Sequence, residues 1–194
     1  MDIVIILSWL VVVSFYTAYF IKMLLQRRRG IKTDQLASGG KPRKTYTIEL
    51  ILKVITYLTA TVQVICLLLP DAFPVLFHST TINYLGIILS VCGLLVFILA
   101  MSTMRDNWRA GIDTLCKTQM VTTGIYRFSR NPAFLGFDLF YLGFTLMIPN
   151  LAVLICSLCA AVLLHLQILE EERYLPALFG QEYLEYKKKT GRYF

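Results

Sequence analysis

Four side chains late in the chain, Gln167, Glu170, Glu171 and Tyr174, stand at i, i+3, i+4 and i+7, which sets them along one face of a helix. Upstream, Arg130 and Asn131 close a polar stretch that runs from Thr122 through Gly124, just before Pro132 and an apolar run. If the chain folds so that these two groups meet, Arg130 and Asn131 face Glu170 and Glu171 across a polar pocket at a membrane surface. An ion-paired rim at the same surface would use the same residues, and spacing alone leaves both open. Two more polar groups stand inside apolar runs. A carboxylate at Asp138 is costly there and points either at a cavity or at a partner such as Arg130. His165 has no second His or Cys at ligand spacing, so a satisfied interior histidine is expected ahead of a catalytic base, and no metal site is expected.

The elements that must position these groups are membrane helices. Hydrophobic residues make up 57% of the 194-residue chain, well above the roughly 45–50% of soluble domains. They fall in blocks separated by short basic segments, the pattern that a hydrocarbon core about 30 Å thick imposes. A net charge of +7 would suit nucleic acid on a soluble domain, but here the cations border apolar spans, and anionic lipid headgroups are the expected partner. Five cysteines, four of them inside apolar runs, read as small apolar residues. The N-terminus lacks a basic n-region and a small-residue cleavage site, so Ile3 onward is expected as a retained helix.

Ile3–Leu25, Ile48–Leu69 and Ile82–Met104 are each long enough to span, and Pro70 with Pro74 ends the second. Gly86 and Gly93 stand seven residues apart on one face of the third and predict close helix packing, within the chain or between two copies. Ala133–Ile148 and Leu151–Leu169 flank Pro149-Asn150 and predict a helical hairpin, with Pro132 at the first helical position and Asn150 as a cap. The first arm is about 24 Å long by helical rise, short for a full span. The fifth helix is expected to run into water through Glu170, Glu171 and Glu172 before Pro176, with an amphipathic segment beyond. The expected fold is therefore all-α, a polytopic integral membrane protein of five transmembrane helices, helices 4 and 5 forming a hairpin, plus a cytoplasmic C-terminal helical segment. Residues 1–104 would hold three helices and a basic loop, and 105–194 the catalytic region. All 19 Lys and Arg fall in or beside three segments, residues 22–53, 105–130 and 173–192. With five spans these share one side, which places the N-terminus outside and the C-terminus in the cytoplasm.

Gly124-x-Tyr126-x-x-x-Arg130-Asn131-Pro132-x-x-x-Gly136, followed by Glu171-Glu172-x-x-Leu175-x-x-x-Phe179-Gly180-x-x-Tyr183-x-x-Tyr186, resembles the isoprenylcysteine carboxyl methyltransferase family over about residues 115–194. The resemblance implies S-adenosyl-L-methionine as cofactor, with S-adenosyl-L-homocysteine as product, and a lipid-tailed, prenylcysteine-like substrate in the bilayer. It implies that Thr118, Gln119, Met120, Val121, Gly124 and Tyr126 lie along the cofactor. Arg130, Asn131 and Pro132 with Phe134, Leu135 and Gly136 would cover its adenine and ribose side, and Glu171, beside Glu170, would bind the methionine amino group. Two positions depart from the family pattern. Asn131 replaces a histidine and cannot become cationic. Gln167 stands where the eukaryotic enzymes carry an arginine that contacts substrate, so Arg173 or Arg130 would have to meet the substrate carboxylate. A phospholipid amine N-methyltransferase, or a non-catalytic membrane protein, are the alternative readings.

Overall fold

A computed structural model describes residues 3–112 and 119–194. Its described residues form five α-helices and no strand: α1 Ile3–Arg28, α2 Arg43–Leu68, α3 Thr80–Met104, α4 Pro132–Met147 and α5 Leu151–Lys189. Four of these, all but α4, are long and apolar enough to cross a membrane. Large apolar side chains face outward along them, Leu10, Val54, Ile88 and Leu158 among the most exposed. A surface of that kind is stable only under lipid, and the chain is an integral membrane protein.

Each helix boundary follows from local chemistry. The Ser79 side chain accepts from Ile82 N to start α3, and Asn150 accepts from Val153 N at 2.9 Å to start α5. Pro132 opens α4 at its first turn, where a missing N–H costs nothing. The end of α5 differs from expectation. The helix passes straight through Pro176 and continues to Lys189, and its one break lies at Gly180, whose φ of 58° only glycine adopts readily.

Packing between helices rests on small residues. A methyl group added at Gly93 would sit 2.6 Å from Phe140 N, and one at Gly86 would sit 2.6 Å from Gly143 O. Gly86 and Gly93 therefore seat α3 directly against the α4 backbone, within the chain. In a bilayer, where burying carbon away from lipid gains little, such close backbone contact is what holds helices together. Ser90 Oγ adds a hydrogen bond to Phe140 O at 3.2 Å. Aromatic rings fill the centre, with Phe15 stacked on Phe140 at a centroid separation of 3.9 Å and on Phe97 at 5.0 Å.

The three basic segments meet at one end of the bundle. Lys22 Nζ donates to Arg105 O, Arg29 pairs with Asp106, and Asp34 bridges to Ala110 in a short parallel contact. Lys44 pairs with Glu170 and Arg130 with Glu172, bringing α5 to the same end. At the opposite end Leu76 N donates to Pro149 O beside the Val75–Asn150 bridge, so the turn between α4 and α5 lies far from the cations. The shared side expected from charge is thus reproduced by direct contacts.

Candidate active site

Gln167, on α5, is fully buried and sits where polar and apolar chemistry meet. Its Nε2 donates to Glu171 Oε1 at 3.0 Å, one turn along the same helix, and to Glu49 Oε1 on α2 at 3.3 Å. Glu49 is itself fully buried. It also accepts from Lys41 Nζ at 2.6 Å, Ala37 N at 2.8 Å and Ile112 N at 3.1 Å. A buried carboxylate survives only with its lone pairs matched by donors, and here every partner is a donor. The result ties the loop after α1, the segment after α3, and α2 to the glutamate face of α5.

Glu171 keeps some contact with solvent, and among the described residues it forms no ion pair. Burial pushes its carboxyl up to about 7, helped by the charge on Glu49 and opposed by the Gln167 hydrogen bond and Lys41. Tyr126 lies close by. Burial, then Tyr186 and Glu171, push its phenol up, and its backbone carbonyl accepts from Tyr186 Oη at 2.6 Å.

The adjacent glutamates do different work. Glu170 accepts from Thr45 Oγ1 at 2.8 Å and Arg173 Nη1 at 2.5 Å, which tethers α5 to the start of α2. Arg130 faces Glu172, at 2.8 Å, and not the expected Glu170 or Glu171. Helical geometry gives the reason, since residues 171 and 172 are about 100° apart around the axis and only one of them can face the loop before α4. Arg192 Nη2 also pairs with Glu172 at 2.9 Å. Burial raises the Glu172 carboxyl, but the two guanidinium partners outweigh it and hold the group down at about 2. Arg130 further donates to Thr190 O and to Lys187 O, and Asn131 Nδ2 to Arg192 O at 3.2 Å, so the last residues strap the Arg130 loop to α5.

A cavity of about 320 Å³ opens beside Gln167. Its walls are mostly carbon, including Phe15, Phe97, Ala133, Phe134, Phe137 and Leu164. Among the described residues, the cations that line it are Arg109 and Lys53, the latter paired with Asp34 at 2.5 Å. Arg130 and Arg173, the expected partners of a substrate carboxylate, do not line it. Arg130 is committed to Glu172 and the C-terminal strap, and Arg173 is mostly exposed beside Glu170. Of the residues expected along a cofactor, Thr118 lies outside the described residues. Gln119, Met120 and Val121 lead into the short 3-10 turn at Gly124–Arg127 that carries Tyr126. Gly124 has a φ of 59° and lies against Thr103, and Gly136 is pressed onto Gly93 and Phe97 of α3. The small size of both glycines thus serves helix packing first. Pro132 is buried and Leu135 half-buried on α4.

His165 is satisfied as expected, with Nδ1 2.8 Å from Tyr193 Oη. Asp138 Oδ1 has no hydrogen-bond partner among the described residues and does not reach Arg130. Glu49, Lys41, Arg192 and Arg109 were not singled out from sequence, and Glu172 only as part of the Glu171-Glu172 motif. Glu49 did carry a signal, as a carboxylate at the start of the Ile48–Leu69 apolar run.

Comparison with known proteins places this arrangement. The sequence model of the phospholipid methyltransferase family matches residues 81–182, more than half of the chain. The chain belongs to that family. Among curated relatives, protein-S-isoprenylcysteine O-methyltransferase of Saccharomyces cerevisiae is 33% identical over 55% of this chain and 46% of its own length. The Schizosaccharomyces pombe protein of the same name is 37% identical over 37% of this chain and 30% of its own. That of Xenopus laevis is 28% identical over 61% and 42%. The chain thus spans about half the length, or less, of these relatives. In fold it matches a eukaryotic intramembrane Ras methyltransferase, isoprenylcysteine carboxyl methyltransferase, with a TM-score of 0.58 and 19% identity over 89% of this chain and 59% of that one. The likeness read from the two motifs is borne out.

Proposed function

We propose that this protein transfers a methyl group from S-adenosyl-L-methionine to the carboxylate of a lipid-tailed acceptor, a prenylated cysteine or a close analogue, at the cytoplasmic membrane face. One observation carries the reading. A carbon-walled cavity within the bundle and a glutamate that forms no ion pair among the described residues are joined by a single side chain, Gln167. The names of the relatives supply the acceptor class.

The residues fit the cofactor at Glu171, because a half-buried carboxylate raised by burial and without an ion pair among the described residues gains most from an ammonium group. When bound, the cofactor would supply a sulfonium methyl group whose C–S bond breaks as the acceptor's carboxylate oxygen forms the new C–O bond, leaving a thioether and a neutral ester. Gln119, Met120, Val121, Gly124 and Tyr126 on one side, and Arg130, Asn131, Pro132, Phe134, Leu135, Gly136 and Glu170 on the other, remain the candidates for the rest of that site, with Gly136 contributing through its packing on α3.

Such a transfer needs no general base, since the nucleophile is ionised at neutral pH. The protein's task is to hold the carboxylate in line and keep water away while opposite charges cancel. Arg109 and Lys53, at the polar end of the cavity, are better placed than Arg130 or Arg173 to receive the acceptor carboxylate. In this reading α4 completes a five-span bundle, forming a hairpin with α5, with the N-terminus outside and the basic end in the cytoplasm.

The family description favours a second reading, N-methylation of a phospholipid amine. That reaction must release a proton, and Asp138, whose Oδ1 has no hydrogen-bond partner among the described residues, is the carboxylate that could take it. Membranes carrying the protein, incubated with methyl-labelled cofactor, separate the readings. Base-labile label in a prenylated acceptor is expected, whereas base-stable label in phospholipid, or none, would overturn the carboxyl assignment.

A further inference from the structure

Lys41 and Glu49 stand outside residues 81–182, the stretch that matches the family, and the proposed transfer assigns them no part. Both are enclosed, with side chains 1% and 0% exposed. The Glu49 carboxylate is filled from four directions. Its Oε2 accepts from Lys41 Nζ at 2.6 Å and Ala37 N at 2.8 Å, and its Oε1 from Ile112 N at 3.1 Å and Gln167 Nε2 at 3.3 Å. Ala37 reaches it with a φ of 52°, in the left-handed region that a residue with a side chain enters only under constraint, so the loop after α1 is shaped around this carboxylate. A buried ion pair is a poor source of stability, since an apolar pair of similar volume does as well or better. What it can supply instead is orientation.

Gln167 is the group so oriented. Its amide nitrogen carries two hydrogens, and one goes to Glu49 while the other goes to Glu171 Oε1 at 3.0 Å. Gln167 Oε1 has no partner among the described residues. An amide kept in place with a buried oxygen unmatched is held by its nitrogen, because turning it over would set that oxygen against two carboxylates. Glu171 is thereby left with one oxygen bonded and, among the described residues, the second without a bond. We infer that Glu49, braced by Lys41, is a positioning residue for the cofactor site, and that through Gln167 it fixes the Glu171 carboxylate in the orientation that receives the ammonium group. This rests on the reading of Glu171 as the cofactor's partner. The Gln167 bond also favours the ionised form of Glu171, the form an ammonium group needs. Glu49 alone would oppose that form by repulsion, and Lys41 offsets it, so the pair serves where a lone carboxylate would not.

The test is calorimetry of S-adenosyl-L-homocysteine binding to full-length protein in detergent, comparing two double variants that both remove the ion pair. Lys41→Met/Glu49→Gln keeps an oxygen for Gln167 and Ile112 N, and its affinity should stay within about threefold of wild type. Lys41→Met/Glu49→Met keeps none, and its affinity should fall about tenfold, the loss expected of a hydrogen bond to a charged group. Adding Gln167→Met to the second variant should cost less than about twofold more, since Glu49 acts through that amide. A merely structural pair would instead lower affinity and thermal midpoint in both double variants together. Equal affinity of the two double variants, or a full further tenfold from Gln167→Met, would overturn the inference and leave the cofactor reading standing. If Lys41→Met/Glu49→Met does not fold, Gln167→Met in the wild-type background is read in its place, and wild-type affinity there overturns the inference. Wild type that binds no S-adenosyl-L-homocysteine, or Glu171→Ala that binds it as wild type does, would remove the cofactor reading and this inference with it.

Discussion

Glu171 and Glu172 are neighbours in sequence with opposite electrostatics, and the pH dependence of the protein should show both. Glu171 is raised to about 7, above its usual value near 4.5. Its protonated form is the one that folding favours, so its contribution to stability is full below the ordinary carboxylate range and is lost as pH rises through about 7. An ammonium ligand needs the ionised form, so affinity for S-adenosyl-L-homocysteine should rise between pH 6 and pH 8 and then level off, as calorimetry at several pH values would show. Glu172 is lowered to about 2. It therefore contributes stability above about 4.5 that is lost as pH falls toward 2. Arg130→Ala breaks a pair whose side chains are 8% and 5% exposed. With Arg192 still in place, the cost should lie near the low end for a broken buried pair, about 3 kcal/mol, read as a lower thermal midpoint in detergent.

At the scale of elements, the architecture depends on how closely α3 and α4 approach. Gly93→Leu would drive a side chain into the α4 backbone near Phe140 and Gly136, where nothing flexible can yield. A loss of at least about 1–3 kcal/mol is expected from overpacking, and the measurement is thermal unfolding followed by circular dichroism. Lys41→Met leaves Glu49 buried without its cation and should cost about 3–5 kcal/mol, while the pair Lys41→Met/Glu49→Gln should recover much of it. Most of these elements were legible from sequence. The five apolar runs, the Pro132 start and the Asn150 cap follow from rules that act within a few residues. Continuation through Pro176 was not legible, because a proline in the last part of a helix removes one hydrogen bond without forcing a stop, and the break fell instead at Gly180. Contacts made across long separations were also hidden. Nothing local to Glu49 says that Lys41, Ile112 and Gln167 will surround it, and nothing local to Arg130 chooses Glu172 over its neighbours.

The whole molecule joins two environments at one end of a bundle. The basic end collects three segments through pairs such as Arg29–Asp106 and Lys44–Glu170, while the cavity reaches inward between aromatic rings toward Phe15. Charge counting alone foresaw that these segments share a side, because that argument needs only the number of crossings. The identity of the polar residues that face one another had to come from the fold. A methyl donor held at Glu171, next to a lipid cavity that begins at Gln167, is the central claim, and it is tested most directly by the affinity of purified protein for S-adenosyl-L-homocysteine. Calorimetry in detergent should show binding by wild type and none measurable by Glu171→Ala, with the variant's thermal midpoint preserved. Unchanged affinity in a folded Glu171→Ala protein would contradict it.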